Sequence, residues 1–328
     1  MAQLVSVDVE RWPVAGAFTI SRGAKTHVDV VVCTLTDGRH IGRGEGTAIY
    51  YHGETAERCA NAIKDYTASG SPLDRYSLIA NMPRGAARNA LDCALWDLEA
   101  RQSGQPVWAL AGLAKPVPIA TAYTISLNDP AQMEHDARVA ASAGFGLLKC
   151  KLTGQGDVQR VAAVRHGAPE VRLIVDANES WMTLDILEES KALAALGVEM
   201  VEQPIAHGQE HLLTGLDGPL PFCADESCQD LSDLDRVKDF AAINIKLDKA
   251  GGLTEALELV KAARLRGQRI MVGCMLSTSL GIAPAMLLAQ GAEWVDLDGA
   301  LLLAQDREGA PKVREGVLYP GSLWGLGA

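Results

Sequence analysis

The sequence predicts a closed α/β barrel of the (β/α)8, or TIM, type beside a smaller N-terminal α+β capping domain. Three observations predict it. From about Pro116 onward, short apolar strand patterns alternate with amphipathic helix patterns. Most of those strands end in polar residues. The strand-end residues Lys151, Asp176, Glu202, Asp225, Lys246, Cys274 and Asp296 are separated by 25, 26, 23, 21, 28 and 22 residues, close to the length of one βα unit. A doubly wound open sheet is the alternative; eight units with polar strand ends favour closure.

The capping domain is assigned to residues 1–115. There VVVCTL (30–35) reads as a strand with TDGRH as the turn after it. A helix is predicted at about Arg84 to Arg101, because Ala87, Leu91, Ala94, Leu95 and Leu98 form an apolar stripe at helical spacing. The barrel is assigned to 116–304. Its strands are IATAYTI, LLKCKL, RLIVDA, VEMVEQ, PFCADE, AINIKLD, RIMVGC and WVDLDG. Each is expected to turn into a helix, as with TEALELVKAARLRG after Asp248. Residues 305–328 carry no helix pattern and are expected to return and complete the capping domain.

Composition narrows the function. The chain has 328 residues, 48% of them apolar, enough for a large core. A net charge of −11 argues against nucleic acid and anionic membranes as partners. No uncharged apolar run reaches the roughly 18 residues of a membrane span. The start, MAQLVSVDVERWP, lacks the pattern of a signal peptide, so a cytoplasmic location is expected. Seven scattered cysteines without a CxxC pair read as free thiols.

In barrels the chemistry sits at the carboxyl ends of the strands. Asp176, Glu202 and Asp225 end three consecutive strands, which lie about 5 Å apart. Three carboxylates at that spacing repel unless a cation sits between them, and oxygen ligands suit a hard divalent ion such as Mg2+. The alternative is a salt bridge or helix cap for each acid. Lys149 and Lys151, two residues apart on one strand, share a face. Lys151 and Lys246 end strands four apart in a ring of eight and so face each other across the mouth. That arrangement suits removal of a proton from one face of a carbon and its return on the other, through an enolate-like intermediate. Burial and the cation are expected to lower the lysine pKa values. Lys149 is expected to act electrostatically on Lys151 and to hold a substrate carboxylate, and Asp248 to orient Lys246.

These residues resemble the enolase superfamily, in its muconate lactonising enzyme subgroup. The resemblance covers nearly the whole chain. KCK (149–151) is similar to the subgroup's KxK, and VDANESW, VEQP and ADES to its metal-ligand segments. INIKLDKAGGLTEA resembles its strand-six lysine segment, and NALDCALWDL the capping-domain helix. The superfamily's lysine base and Mg2+ are implied by that resemblance as well. Within the subgroup the sequence is most similar to dipeptide epimerases, those acting on L-Ala-D/L-Glu above all. Asp296 and Asp298, in DLDG, match the acidic pair that binds the dipeptide's α-ammonium. Cys274, Met275 and Ser277, in CMLSTS, match the loop along the dipeptide backbone, and Thr124 matches a substrate contact. Arg22 matches the arginine that binds the glutamate side chain, with Lys25 a second candidate. The loop EGTAIYYHGE departs from the pattern, with bulkier Tyr50, Tyr51 and His52; His52 alone reads as an ordinary loop residue. The resemblance implies one Mg2+ per subunit, a small dipeptide substrate and a place in murein-peptide recycling, and it admits a homo-oligomer.

Three other readings stand beside this one. A cycloisomerase, N-acyl amino acid racemase or o-succinylbenzoate-type dehydratase would use the same barrel. A Schiff-base aldolase would use Lys246 covalently, leaving the acid trio without a task. A silent binding protein would carry a broken site.

Overall fold

The computed structural model describes residues 2–20 and 23–327. The chain opens with a long antiparallel hairpin, β1 (Gln3–Ile20) and β2 (Gly23–Thr36), extended by β3 (Ile41–Thr47) into a sheet of order β1-β2-β3. The sequence reading caught only the second half of β2. It missed β1 because this edge strand exposes Val5 and Val9, contains Pro13 and changes register between Pro13 and Phe18.

Three helices, α1 (Ala56–Ala68), α2 (Arg75–Asn81) and α3 (Ala86–Ser103), and a short turn, α4 (Val107–Leu110), complete this part of the chain. The predicted helix is α3, shifted by two residues. Its stripe of Leu91, Ala94 and Leu98 packs on the sheet. IGRGEGT explains how closely. A side chain at Gly42, Gly44 or Gly46 would come within 2.3, 2.1 and 2.2 Å of the α3 carbonyl oxygens of Ala94, Ala90 and Ala86. The glycines bring α3 against β3, while the alternate residues Glu45 and Thr47 reach the barrel (Thr278 and Leu276).

IATAYTI splits into β4 (Ile119–Ala120) and β5 (Tyr123–Ile125). From β5 the barrel runs through β6 (Leu147–Lys151), β7 (Arg172–Asp176), β8 (Val198–Glu202), β9 (Phe222–Ala224), β10 (Ala242–Ile245), β11 (Arg269–Gly273) and β12 (Trp294–Asp296), parallel and in sequence order. The Ala122 amide donates to the Val295 carbonyl at 2.8 Å and closes the ring. Ala122, Leu147, Ile174, Met200, Cys223, Ala242, Met271 and Trp294 form one apolar layer that plugs the amino-terminal end. Chemistry is thereby confined to the other end.

The outer ring contains α5 (Pro130–Ser142), α6 (Asp157–Gly167), α7 (Ile186–Ala195), α8 (Leu247–Ala250), α9 (Leu253–Leu265) and α10 (Ser279–Ala289). Two expected helices are missing. The crossovers after β8 and β9 contain only single 3-10 turns, Glu210–Leu213 and Leu231–Asp233. Gly208, Gly215, Gly218, Pro219 and Pro221 break the first. In the second, the Asp233 carboxylate accepts from the amides of Gln229 and Asp230, a local competitor to helix hydrogen bonding.

Residues 305–327 divide their contacts. Strands β13 (Lys312–Arg314) and β14 (Val317–Tyr319) pair with β4, whereas the Trp324 indole donates to the Cys93 carbonyl and the Gly325 amide to Asp97, both on α3. No described helix is long and apolar enough to cross a membrane.

Asp92 joins α3 to α9, accepting from the Thr254 amide at 3.0 Å and its hydroxyl at 2.5 Å. Burial pushes its pKa up to about 6 against those hydrogen bonds. The folded state therefore disfavours the charged form, so this contribution is intact below about pH 4 and is lost as pH rises toward 6, at about 1.4 kcal/mol per unit. Asp92→Asn should flatten the decline of stability between pH 4 and 6 relative to the parent, read from urea midpoints.

Candidate active site

Alternation along β6 turns Lys149 and Lys151 the same way, into the barrel mouth, and both are buried. Carboxylates compensate them. The Lys149 Nζ lies 2.6 Å from Glu202, 2.8 Å from Asp296 and 3.2 Å from Asp176, and the Lys151 Nζ 2.6 Å from Asp176. Lys246 follows β10, four strands from β6 in ring order, with its Nζ 2.6 Å from Asp225. Lys151 and Lys246 line one cavity of about 230 Å³.

Asp176, Glu202 and Asp225 each turn one oxygen to a partner behind them and the other toward a lysine of the cavity. After β7 the chain turns through left-handed Asn178 (φ 43°) and Glu179 (φ 68°). The Asn178 amide thereby donates to Asp176 Oδ1 at 3.0 Å, leaving Oδ2 toward Lys151. Asn244 Nδ2 donates to Glu202 Oε1 at 2.7 Å, leaving Oε2 toward Lys149. Lys249 lies 2.7 Å from Asp225 Oδ1, leaving Oδ2 toward Lys246. Left-handed Gln203 (φ 37°) accepts from the amides of Asp225 and Ser227, fixing the turn after β9.

Charge dominates this mouth. Burial raises the Asp176 and Asp225 pKa values, but Lys151 with Lys149, and Lys246 with Lys249, overcome it and hold both acids well below the usual range. Glu202 goes the other way: burial and the charge of Asp176 push it up to about 7. At Lys149 and Lys246 the neighbouring acids outweigh burial. Burial pulls them down, yet Asp296, Glu202 and Asp176 around the first, and Asp225 and Glu202 around the second, raise them well above normal.

As the side chains stand, no three His, Cys, Asp or Glu groups among the described residues converge closely enough to hold a metal. The donor set nevertheless fits a hard cation. It consists of three buried carboxylates at the ends of consecutive strands, each with one oxygen toward the lysines, and Glu202 Oε2 accepts no aligned hydrogen bond.

Other expected residues divide. Thr124, Cys274, Met275, Asp296 and Asp298 line the cavity. Asp298 accepts from the Thr124 amide at 2.7 Å, and burial with the charge of Asp296 pushes it up to about 7. Ser277 is buried and does not line the cavity. Asp248 does not orient Lys246. The strand stops at Ile245 and Lys246 caps α8, so the two-residue face rule no longer applies. Asp248 instead accepts from the Thr47 amide and the Asn89 side chain, each at 2.8 Å, fastening the cap to the barrel. Lys25 lines the cavity with its Nζ 4.5 Å from the Tyr50 ring centre, and burial lowers its pKa. Tyr51 lines it too, whereas His52 lies outside against Gln229. Arg22 lies outside the described residues.

Residues 2–112 match the N-terminal domain of mandelate racemase and muconate lactonizing enzymes, and residues 132–328 match the enolase C-terminal domain-like family. The chain belongs to the enolase superfamily. This superfamily member is 42% identical to the L-Ala-D/L-Glu epimerase of Escherichia coli, over 96% of this chain and 99% of that one. It is 39% identical to an N-acetyl-D-glutamate racemase of a Pseudoalteromonas species, over 90% and 95%. It superposes with a TM-score of 0.93 at 46% identity, covering 99% and 100% of the chains, on an Agrobacterium tumefaciens enolase-family protein with homology to dipeptide epimerases, crystallised with sodium and L-Ala-L-Glu. A dipeptide epimerase from Enterococcus faecalis, complexed with Mg and L-Leu-L-Tyr, gives 0.89 at 28% identity, covering 99% and 98%.

Sequence reasoning missed Asn244, Lys249 and Gln203. Asn244 carries a usable signal: it stands two residues before Lys246 and shares its face. Gln203 and Lys249 act from a strained turn and a helical turn, and neither has a signal in strand alternation.

Proposed function

We propose that this chain is a metal-dependent dipeptide epimerase that inverts the glutamate α-carbon of L-Ala-D-Glu and L-Ala-L-Glu. It is an isomerase of amino-acid derivatives, as its curated relatives are. The observation that carries the reading is the pair Lys151 and Lys246, which end and follow strands four apart and line one cavity. A carbon held between them has an amine on each face, so one removes the α-proton and the other supplies one. Either amine acts as a base only when its pairing with Asp176 or Asp225 is relieved. A divalent cation, Mg2+ in this reading, would be held by Asp176, Glu202 and Asp225 and would supply positive charge to the substrate carboxylate as the proton leaves. Lys149 holds that carboxylate, and Asp296 and Asp298 receive the α-ammonium, beside Thr124, Cys274 and Met275. The activity would serve recycling of cell-wall peptides in the cytoplasm.

Incubating L-Ala-L-Glu and L-Ala-D-Glu with the enzyme and Mg2+ in heavy water tests this. One deuterium at the glutamate α-carbon, with formation of the other stereoisomer, is expected; no exchange in either would reject it.

A second reading, an N-acyl glutamate racemase, is favoured by the 39% relative and by two features of the acidic pair. Asp296 is already paired with Lys149, and Asp298 is pushed toward neutrality. An N-acyl substrate has no ammonium to bind. Faster turnover of N-acetyl-glutamate than of L-Ala-L-Glu would select it.

The cation Lys25, in the cavity wall, suits the distal carboxylate of glutamate. Lys25→Met should lower kcat/KM for L-Ala-L-Glu by roughly 10- to 100-fold, the worth of one charge-assisted hydrogen bond, and leave L-Ala-L-Leu unaffected. Steady-state rates on the two dipeptides check it.

A further inference from the structure

We propose that Asn244 and Lys249 are positioning residues for the cation site, gripping Glu202 and Asp225 from behind so that each acid keeps one oxygen forward and a counter-charge or donor at its back. The inference rests on the metal-dependent reading above.

Lys249 is fully buried and does not line the cavity, so it meets neither substrate nor solvent. Its Nζ lies 2.7 Å from Asp225 Oδ1 and donates to the carbonyls of Asp225 (2.5 Å), Cys228 (2.7 Å) and Asn244 (2.9 Å). A buried ammonium is costly, and an apolar side chain would fill the space more cheaply. What it supplies is a division of labour. Asp225 has two lysine partners, and Lys246, the one in the cavity, must let go of it to act as a base. Lys249 then remains, 2.7 Å from Oδ1, as the partner that keeps Asp225 aimed. One turn of α8 makes this possible, because Lys246 caps it and Lys249 stands three residues later.

Asn244 does the same for Glu202. Its Nδ2 donates to Glu202 Oε1 at 2.7 Å, while its Oδ1 is buried and accepts no hydrogen bond among the described residues. The side chain is therefore placed for what it donates. Its room comes from Gly273, where a Cβ would lie 2.7 Å from that Oδ1. The Asn244 carbonyl is itself bound by Lys249, so the two anchors form one unit.

The test is calorimetric titration of Mg2+ into metal-stripped parent, Asn244→Ala and Lys249→Met, with the melting of each stripped protein followed by circular dichroism. The Mg2+ Kd is expected to rise roughly 10- to 100-fold in each variant, the usual effect of losing a group that orients a metal ligand. Asn244→Ala carries the test if Lys249→Met does not fold. A lower melting temperature with an unchanged Kd would show a packing role only and overturn the proposal. A parent that binds no Mg2+ would instead reject the metal-dependent reading beneath it.

Discussion

Lys151→Ala and Lys246→Ala each lower epimerisation by roughly 10²- to 10⁴-fold, the range for loss of a general acid–base group, and the two lesions are mirror images. Each variant still exchanges the α-hydrogen of one stereoisomer of the dipeptide in heavy water and is inert toward the other. The expectation follows from position. The two residues end or follow strands four apart in the ring, and both amines line the same cavity, so each addresses one face of a carbon held between them. Removing one leaves the opposite base able to take and return a proton on its own face. Exchange then survives without inversion, and only for the stereoisomer whose hydrogen points that way. Loss of a merely structural lysine would slow both stereoisomers alike. Mass shift and stereochemistry measured on each pure stereoisomer separate these cases. If either variant retains two-way turnover near the parental rate, the two-base scheme is wrong.

LLKCKL disclosed the lysine pair because a strand has a strict period of two, and the acids that end RLIVDA and VEMVEQ lie at strand ends. These positions follow from one rule, that chemistry gathers where barrel strands stop. The rule fails where a strand gives way to a turn. Asp248 keeps the spacing that would put it beside Lys246, yet the backbone coils at Leu247 and carries it toward Thr47 and Asn89. Ser277 is withdrawn from the cavity in the same way, just ahead of the cap of α10 at Thr278. The missing crossover helices show another limit: LSDLDRVKDF has a helical composition, but Asp233 satisfies the local amides first. Lys249 sits inside INIKLDKAGG, a segment singled out for Lys246 alone, because nothing in one dimension shows that a lysine can reach behind an acid it does not neighbour in sequence; Asn244, in the same segment, was legible from the face it shares with Lys246.

Stripping divalent cations should lower turnover by at least about 10³-fold, with activity restored by Mg2+. The charge inventory of the mouth supports this. Asp225, Asp296 and Asp298 line the cavity, with Asp176 and Glu202 buried beneath it, and the lysines that offset them are occupied in ion pairs of 2.6 to 3.2 Å. A dipeptide brings its own α-carboxylate, and a glutamate side chain brings a second. Without added positive charge, that carboxylate must compete with buried acids for Lys149, and Lys151 and Lys246 stay engaged in their ion pairs with Asp176 and Asp225. The loss should appear both in substrate affinity and in the rate of α-hydrogen exchange, since one deficit of charge underlies both. Measuring both in chelator and after back-titration with Mg2+ distinguishes this from unfolding, which would leave no exchange to restore. Full activity in chelator would show that the lysines alone meet the charge requirement, and it would return the barrel to readings that use Lys246 without a metal, with borohydride trapping of a substrate adduct on that residue as the next measurement.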